Sequence, residues 1–117
     1  VIDLPIRKAE GATVRREAHP SGKPSRTFYR VLRLRGARAL VRLRLDTGRT
    51  HQIRVHLSAL GCPVAGDFLY GTELRELPGR FALHSARCRV RHPVTGEWIE
   101  RESPLPDELE RLLEPRT

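Results

Sequence analysis

Between Thr47 and His56 the chain reads TGRTHQIRVH, and four side chains there can bind or polarise an anion: Arg49, His51, Gln52 and Arg54. If this stretch opens a helix, the donors crowd into about one and a half turns, beside the unpaired first-turn N–H groups and the positive end of the helix dipole. That arrangement receives a phosphate or a carboxylate. Thr47 or Thr50 can cap such a helix, and Gly48 permits a tight entry. His51 and His56 read by themselves as surface or hydrogen-bonded histidines. Arg54 is the sharper case. It shares a turn with Ile53, which should pack inward, and a partly buried guanidinium needs a carboxylate to offset its desolvation.

The elements that position these residues can be read on either side. Phe28–Leu34 is rich in aromatic and β-branched residues and Arg35-Gly36 supplies a turn, so a hairpin is expected. In the second strand, Arg38–Asp46, Ala39, Val41, Leu43 and Leu45 alternate with Arg38, Arg42, Arg44 and Asp46, the pattern of a half-buried strand. The helix then runs from near Thr50, with Ile53, Leu57 and Leu60 inward and Gly61 as its stop. Cys62–Gly71 is a loop punctuated by Gly and Pro.

A second hairpin is expected further on, with Ala86, Cys88 and Val90 on one face, a turn over His92–Gly96, and Glu97–Glu102 returning. Its exposed Arg and Glu residues can pair across the strands. Pro106 can occupy the first position of a last helix, with Asp107 and Glu108 in its first turn and a stripe of Leu105, Leu109, Leu112 and Leu113. Residues 1–27 read as a loop-rich arm and 28–114 as sheet and helices. The fold class is α+β: a mostly antiparallel or mixed sheet from two hairpins, with one short helix after the second strand and another at the C-terminus.

Composition narrows the partner. The 117 residues suffice for one domain. A net charge of +8, carried by arginine except at Lys8 and Lys23, points to a polyanion, because the planar guanidinium binds phosphate bidentately and stacks on bases. No apolar run approaches the roughly 20 residues that span a bilayer, so a cytoplasmic location is expected. Cys62 and Cys88 lack metal or redox spacing and read as free thiols. His51 and His56 are five apart, on different faces of a helix and not at the short spacing of zinc ligands, so no metal is expected. The chain has no Met and opens at Val1, which suggests a fragment.

The run Thr47–His56, followed by Gly61, Pro63 and the GDFLYG of Gly66–Gly71, resembles the late motif of the RluA-type RNA pseudouridine synthases. Gly22-Lys23 and Thr27-Phe28-Tyr29 upstream, then Leu83-His84-Ser85, His92–Gly96, Pro104 and Pro106 downstream, extend the likeness over roughly Leu4–Leu113. The resemblance implies the C-terminal portion of a pseudouridine synthase catalytic domain, acting on uridine in rRNA or tRNA without metal or organic cofactor. It assigns Arg54 to a salt bridge with the nucleophilic aspartate. Arg49, Thr50, His51, Gln52 and Lys23 fall to RNA binding, and Gly48, Gly66, Asp67, Tyr70 and His84 to the structural motif. The family's aspartate lies in an upstream RLDxxTSG-type segment that occurs nowhere in these residues, so a missing N-terminal half is the implied partner. The tyrosine that stacks on the target base also lies upstream, and neither Tyr29 nor Tyr70 inherits its role.

Overall fold

The computed structural model describes residues 1–12 and 14–113, and only the backbone of Cys88 and Val90. All its strand pairs are antiparallel. β1 (Ile2–Asp3), β4 (Arg26–Arg35) and β5 (Arg38–Leu45) form one sheet in the order β1-β4-β5. β2 (Ile6–Lys8) pairs with β3 (Arg16–Ala18), and β6 (Arg87–Arg91) with β7 (Trp98–Glu102). Helix α1 (Gln52–Ala59) follows β5, and α2 (Asp107–Glu110) runs into a 3-10 turn, Arg111–Leu113. The α+β class with two principal hairpins and two short helices is as the sequence implied.

The β4–β5 turn follows from its residues. Arg35 faces Arg38, which leaves Gly36-Ala37 as a two-residue turn, and Gly36 has φ 58°. A positive φ at the first central position is what glycine supplies when a turn must match the twist of the strands. The expected Arg–Glu pairing in the second hairpin is also present: Arg87 contacts Glu100 at 3.1 Å and Glu102 at 2.5 Å. These pairs are exposed and contribute little to stability. The expected inward face of Cys88 and Val90 lies outside the described residues.

Three expectations change. Residues 1–27 are more than an arm, because they carry β1 to β3 and bury Ile2 and Ile6. Pro106 is not the first helical residue but the cap preceding it, at φ −59° and ψ 145°. Helix α1 buries Gln52, Arg54, Val55 and His56 instead of the expected stripe, leaving Ile53 and Leu57 half-buried and Leu60 48% exposed. Polar side chains occupy that face because each finds a specific partner, described below. Apart from these, the apolar face of the β4–β5 hairpin is left open.

Register explains that last point. Thr27 pairs with Leu45, Tyr29 with Leu43, Val31 with Val41 and, beyond an irregularity between Val31 and Arg33, Leu34 with Ala39. Directly paired residues share a face. At one end α1 covers it, where Thr27 is fully buried against His56. Farther along, Tyr29, Val31 and Leu34 are exposed. The radius of gyration is 15.8 Å, against roughly 13 Å for a compact domain of this length. Buried apolar residues are few for the chain's size, and Ile6, Val55 and Tyr70 form the cluster that supports the site.

Candidate functional site

Helix α1 begins without a side-chain cap. His51 precedes it in the left-handed region, at φ 57° and ψ 21°. A non-glycine residue there carries backbone strain that its surroundings must hold. The hold is visible: His51 Nδ1 lies 2.7 Å from the Tyr70 hydroxyl, which also accepts the Arg16 N–H at 2.9 Å. Gly48, expected to permit the entry, has no positive φ, and a Cβ there would meet nothing within 4 Å. The strained position is three residues later.

Gln52 replaces the expected cap. Its Oε1 accepts the Thr47 hydroxyl at 2.7 Å and the Arg49 N–H at 3.0 Å. Its Nε2 donates to the Arg26 carbonyl and to Thr27 Oγ1. Thr27 in turn donates to His56 Nδ1 at 2.8 Å, and His56 Nε2–H donates to the Leu4 carbonyl. This buried chain ties α1 to β4 and to the N-terminal segment, and the Leu4 carbonyl places a proton on His56 Nε2. Gln52 is therefore committed inside the protein, not placed on an RNA-facing surface as expected. With both ring nitrogens occupied, His56 is likewise unavailable as a metal ligand.

Arg54, one turn on, meets its carboxylate within the chain. Asp67 Oδ2 accepts from Nε and Oδ1 from Nη2, each at 2.8 Å. Asp67 is fully buried and Arg54 is 7% exposed. Oδ1 also accepts the Leu69 and Tyr70 amides at 3.0 and 3.1 Å. Burial works to raise the Asp67 pKa, but the hydrogen bonds from Arg54 and from these amides hold it below the ordinary carboxylate value. The bond to Asp67 raises Arg54 in turn. Both groups stay ionised.

Aromatic rings enclose the guanidinium, whose carbon lies 4.1 Å from the Phe81 ring centre, 5.1 Å from Tyr70 and 5.6 Å from Phe68. Such faces stabilise a desolvated cation. Nη1 makes no hydrogen bond among the described residues. Next to this cluster His51 is held below the usual imidazole pKa, by burial first and then by the Arg54 and Arg16 charges. The site thus presents a fixed, uncharged imidazole beside a fixed cation.

Gly66 places Asp67. Its φ is +80° and a Cβ would lie 2.6 Å from the Arg80 carbonyl oxygen, so the loop closes only on glycine. Arg49, Thr50 and Lys23 are exposed at one edge of the site, and Arg49 Nε donates to the Pro24 carbonyl at 3.1 Å. His84 stands apart, bonded to the Ser103 carbonyl at 3.1 Å. Sequence reasoning missed Thr27, Arg16 and Phe81. Thr27 and Arg16 act through contacts far away in the chain, and an isolated Phe carries no local signal.

The model of the RNA pseudouridylate synthase family matches residues 1–59, just over half of the chain. The chain belongs to the RNA pseudouridine synthase family. An uncharacterized RNA pseudouridine synthase of Chloroflexus aurantiacus is 43% identical over 113 residues, covering 96% of this chain and 36% of that protein. The ribosomal large subunit pseudouridine synthase D of Haemophilus ducreyi is 38% identical, covering 97% of this chain and 39% of that protein. Among solved structures, human RNA Pseudouridylate Synthase Domain Containing 1 superposes with a TM-score of 0.72 at 38% identity, over 88% of this chain and 46% of that one. The chain therefore spans less than half the length of each of these proteins, and the RluA-type resemblance read from Thr47–His56 extends over most of it. Among the described residues no helix is long and apolar enough to cross a membrane.

Proposed function

We propose that this chain is the C-terminal portion of the catalytic domain of a cytoplasmic RNA pseudouridine synthase acting on ribosomal or transfer RNA, with a further catalytic segment supplying the nucleophilic aspartate. In the reaction the bond from ribose C1′ to uracil N1 breaks, the base turns, and C1′ bonds to C5. N1 gains a proton and C5 loses one to solvent. The target base must leave its stack, so the enzyme needs a cleft that takes an extruded nucleotide.

The observation that carries this reading is the buried Arg54–Asp67 pair. Asp67 grips one edge of the guanidinium and leaves Nη1 for a second carboxylate. An incoming aspartate beside a cation that is already fixed stays ionised and nucleophilic. Asp67 itself is no nucleophile, because it is fully buried and saturated with donors. Its role is to aim Arg54. The open apolar face of β4–β5, with Tyr29, Val31 and Leu34 exposed, and the extended shape of the chain are consistent with a further segment packing there.

The test is complementation. The chain is combined with the upstream segment of the Chloroflexus aurantiacus relative, where the resemblance puts the aspartate, and tritium release from C5-labelled uridine RNA is followed. Release that requires both pieces supports the reading. A properly folded pair that binds RNA and releases nothing would leave a noncatalytic RNA-binding module.

A further inference from the structure

The β2–β3 hairpin and the Gly48–Thr50 turn enclose a cavity of about 440 Å³. Its position follows from Gly22: a Cβ there would lie 2.5 Å from the Ile6 backbone, so only glycine lets the His19–Lys23 loop fold onto β2. Reciprocal Ile6–Lys23 backbone hydrogen bonds of 3.0 and 2.8 Å then hold Lys23 at the rim.

Arg7, Lys8, Arg16, Lys23 and Arg49 line this one concavity. Arg7 is neutralised by Glu17 at 2.7 Å. Lys8, Arg16, Lys23 and Arg49 form no ion pair among the described residues. Lys8 and Arg16 stand directly opposite each other across the β2–β3 ladder, an unfavourable placement of like charges. Arg16 Nε is also buried with no hydrogen-bond partner. A native fold tolerates an unpartnered buried donor only at a cost, and four cations around one cavity add their repulsion. Both costs fall when an anion enters. The Thr50 and His51 amides, at the entrance to α1, donate no hydrogen bond among the described residues and add to the same field.

We propose that this cavity seats a phosphodiester of the RNA strand next to the nucleotide handled at Arg54. The inference rests on the reading of the chain as part of an RNA-modifying enzyme, and it adds to it a defined backbone contact. Adjacency is built through Tyr70, whose hydroxyl accepts the Arg16 N–H at 2.9 Å and whose ring lies 5.1 Å from the Arg54 guanidinium carbon. A phosphate in the cavity sets the strand's position, while the base is read elsewhere.

The experiment is an amide-shift titration of the ¹⁵N-labelled full chain with inorganic phosphate, with penta-uridylate, and with its uncharged methylphosphonate counterpart. Inorganic phosphate should move the amides of Lys23, Gly48, Arg49 and Thr50. Penta-uridylate should move the same set and displace phosphate, and the methylphosphonate should do neither. Joint Lys23→Gln and Arg49→Gln substitution should weaken binding of both anions at least about tenfold, as loss of charge-assisted hydrogen bonds requires. Both residues are exposed, so the spectrum should stay that of a folded chain; Lys8→Gln is the second variant, and Arg101→Gln on β7 should change nothing. Shifts spread equally over Arg87–Arg91, unchanged affinity in the cavity variants, or phosphate binding that penta-uridylate cannot displace would overturn the proposal. A chain that binds no phosphate here but regains turnover on complementation sinks the seat alone. One that binds phosphate but never regains turnover sinks the enzymatic reading alone.

Discussion

Asp67 holds Arg54 by two hydrogen bonds of 2.8 Å from a fully buried position, so the guanidinium at the centre of the site is already paired within the chain. Loss of one partner of a buried pair strands the other. Asp67→Ala should therefore cost roughly 3–5 kcal/mol of stability, read as a lower midpoint in urea denaturation of the chain. A loss below about 1 kcal/mol, the scale of an exposed pair, would mean that the pair is not buried in solution.

The same pair sets the acid limit of stability. The folded-state pKa of Asp67 is depressed, so the unfolded chain takes up the proton first as pH falls. Its contribution is complete above the ordinary Asp range and is lost as pH falls through the folded value. His51 works in the same direction at higher pH. Its folded pKa is lowered, so the unfolded imidazole protonates first and stability declines as pH drops through the ordinary histidine range near 6.5. Unfolding free energies measured from neutral pH downward should show both slopes, the first absent in Asp67→Asn and the second in His51→Gln. A parent chain that grew more stable over either range would contradict these assignments.

Two glycines of the same motif should respond differently. Gly66→Ala meets a positive φ and a backbone oxygen 2.6 Å away, whereas Gly48→Ala meets neither. The first should destabilise by about 1–3 kcal/mol or more and loosen Asp67, and the second should be nearly neutral. Thermal melts of the two variants decide it, and equal melting points would refute the distinction.

Thr27 joins Gln52 and His56 through one hydroxyl. Thr27→Val keeps the shape but leaves His56 Nδ1 and Gln52 Nε2 each short of a partner. About 1–3 kcal/mol per stranded group is the expected cost. A denaturation midpoint unchanged by this substitution would show that the network is replaced by water.

The hairpins, the helix after β5 and the burial of Arg54 were legible because alternation, turn glycine and a dense polar run are local signals. That Arg54 needs a carboxylate followed from desolvation alone. Its identity did not, since Asp67 reaches it only through the Gly66 turn and the loop's closure onto Arg80. The buried face of α1 was misjudged for a related reason. Periodicity counts Ile53, Leu57 and Leu60 as the inward stripe, but Gln52 and His56 share a face and are paid for by Thr27, a residue on another strand. Ile2 and Ile6 entered the core from a segment whose Pro and Gly content signals only loop.

Complemented turnover tests the proposed role of Arg54, as the cation that serves a reacting aspartate, most directly. With the upstream segment supplied, tritium release from C5-labelled uridine RNA should appear, and Arg54→Ala should cut it at least about a hundredfold, since each 1.36 kcal/mol in the barrier is about tenfold in rate. Arg54→Lys should recover only part, because an ammonium cannot hold Asp67 through two parallel hydrogen bonds while offering a third nitrogen. Near-normal turnover in a folded Arg54→Ala enzyme would contradict the account.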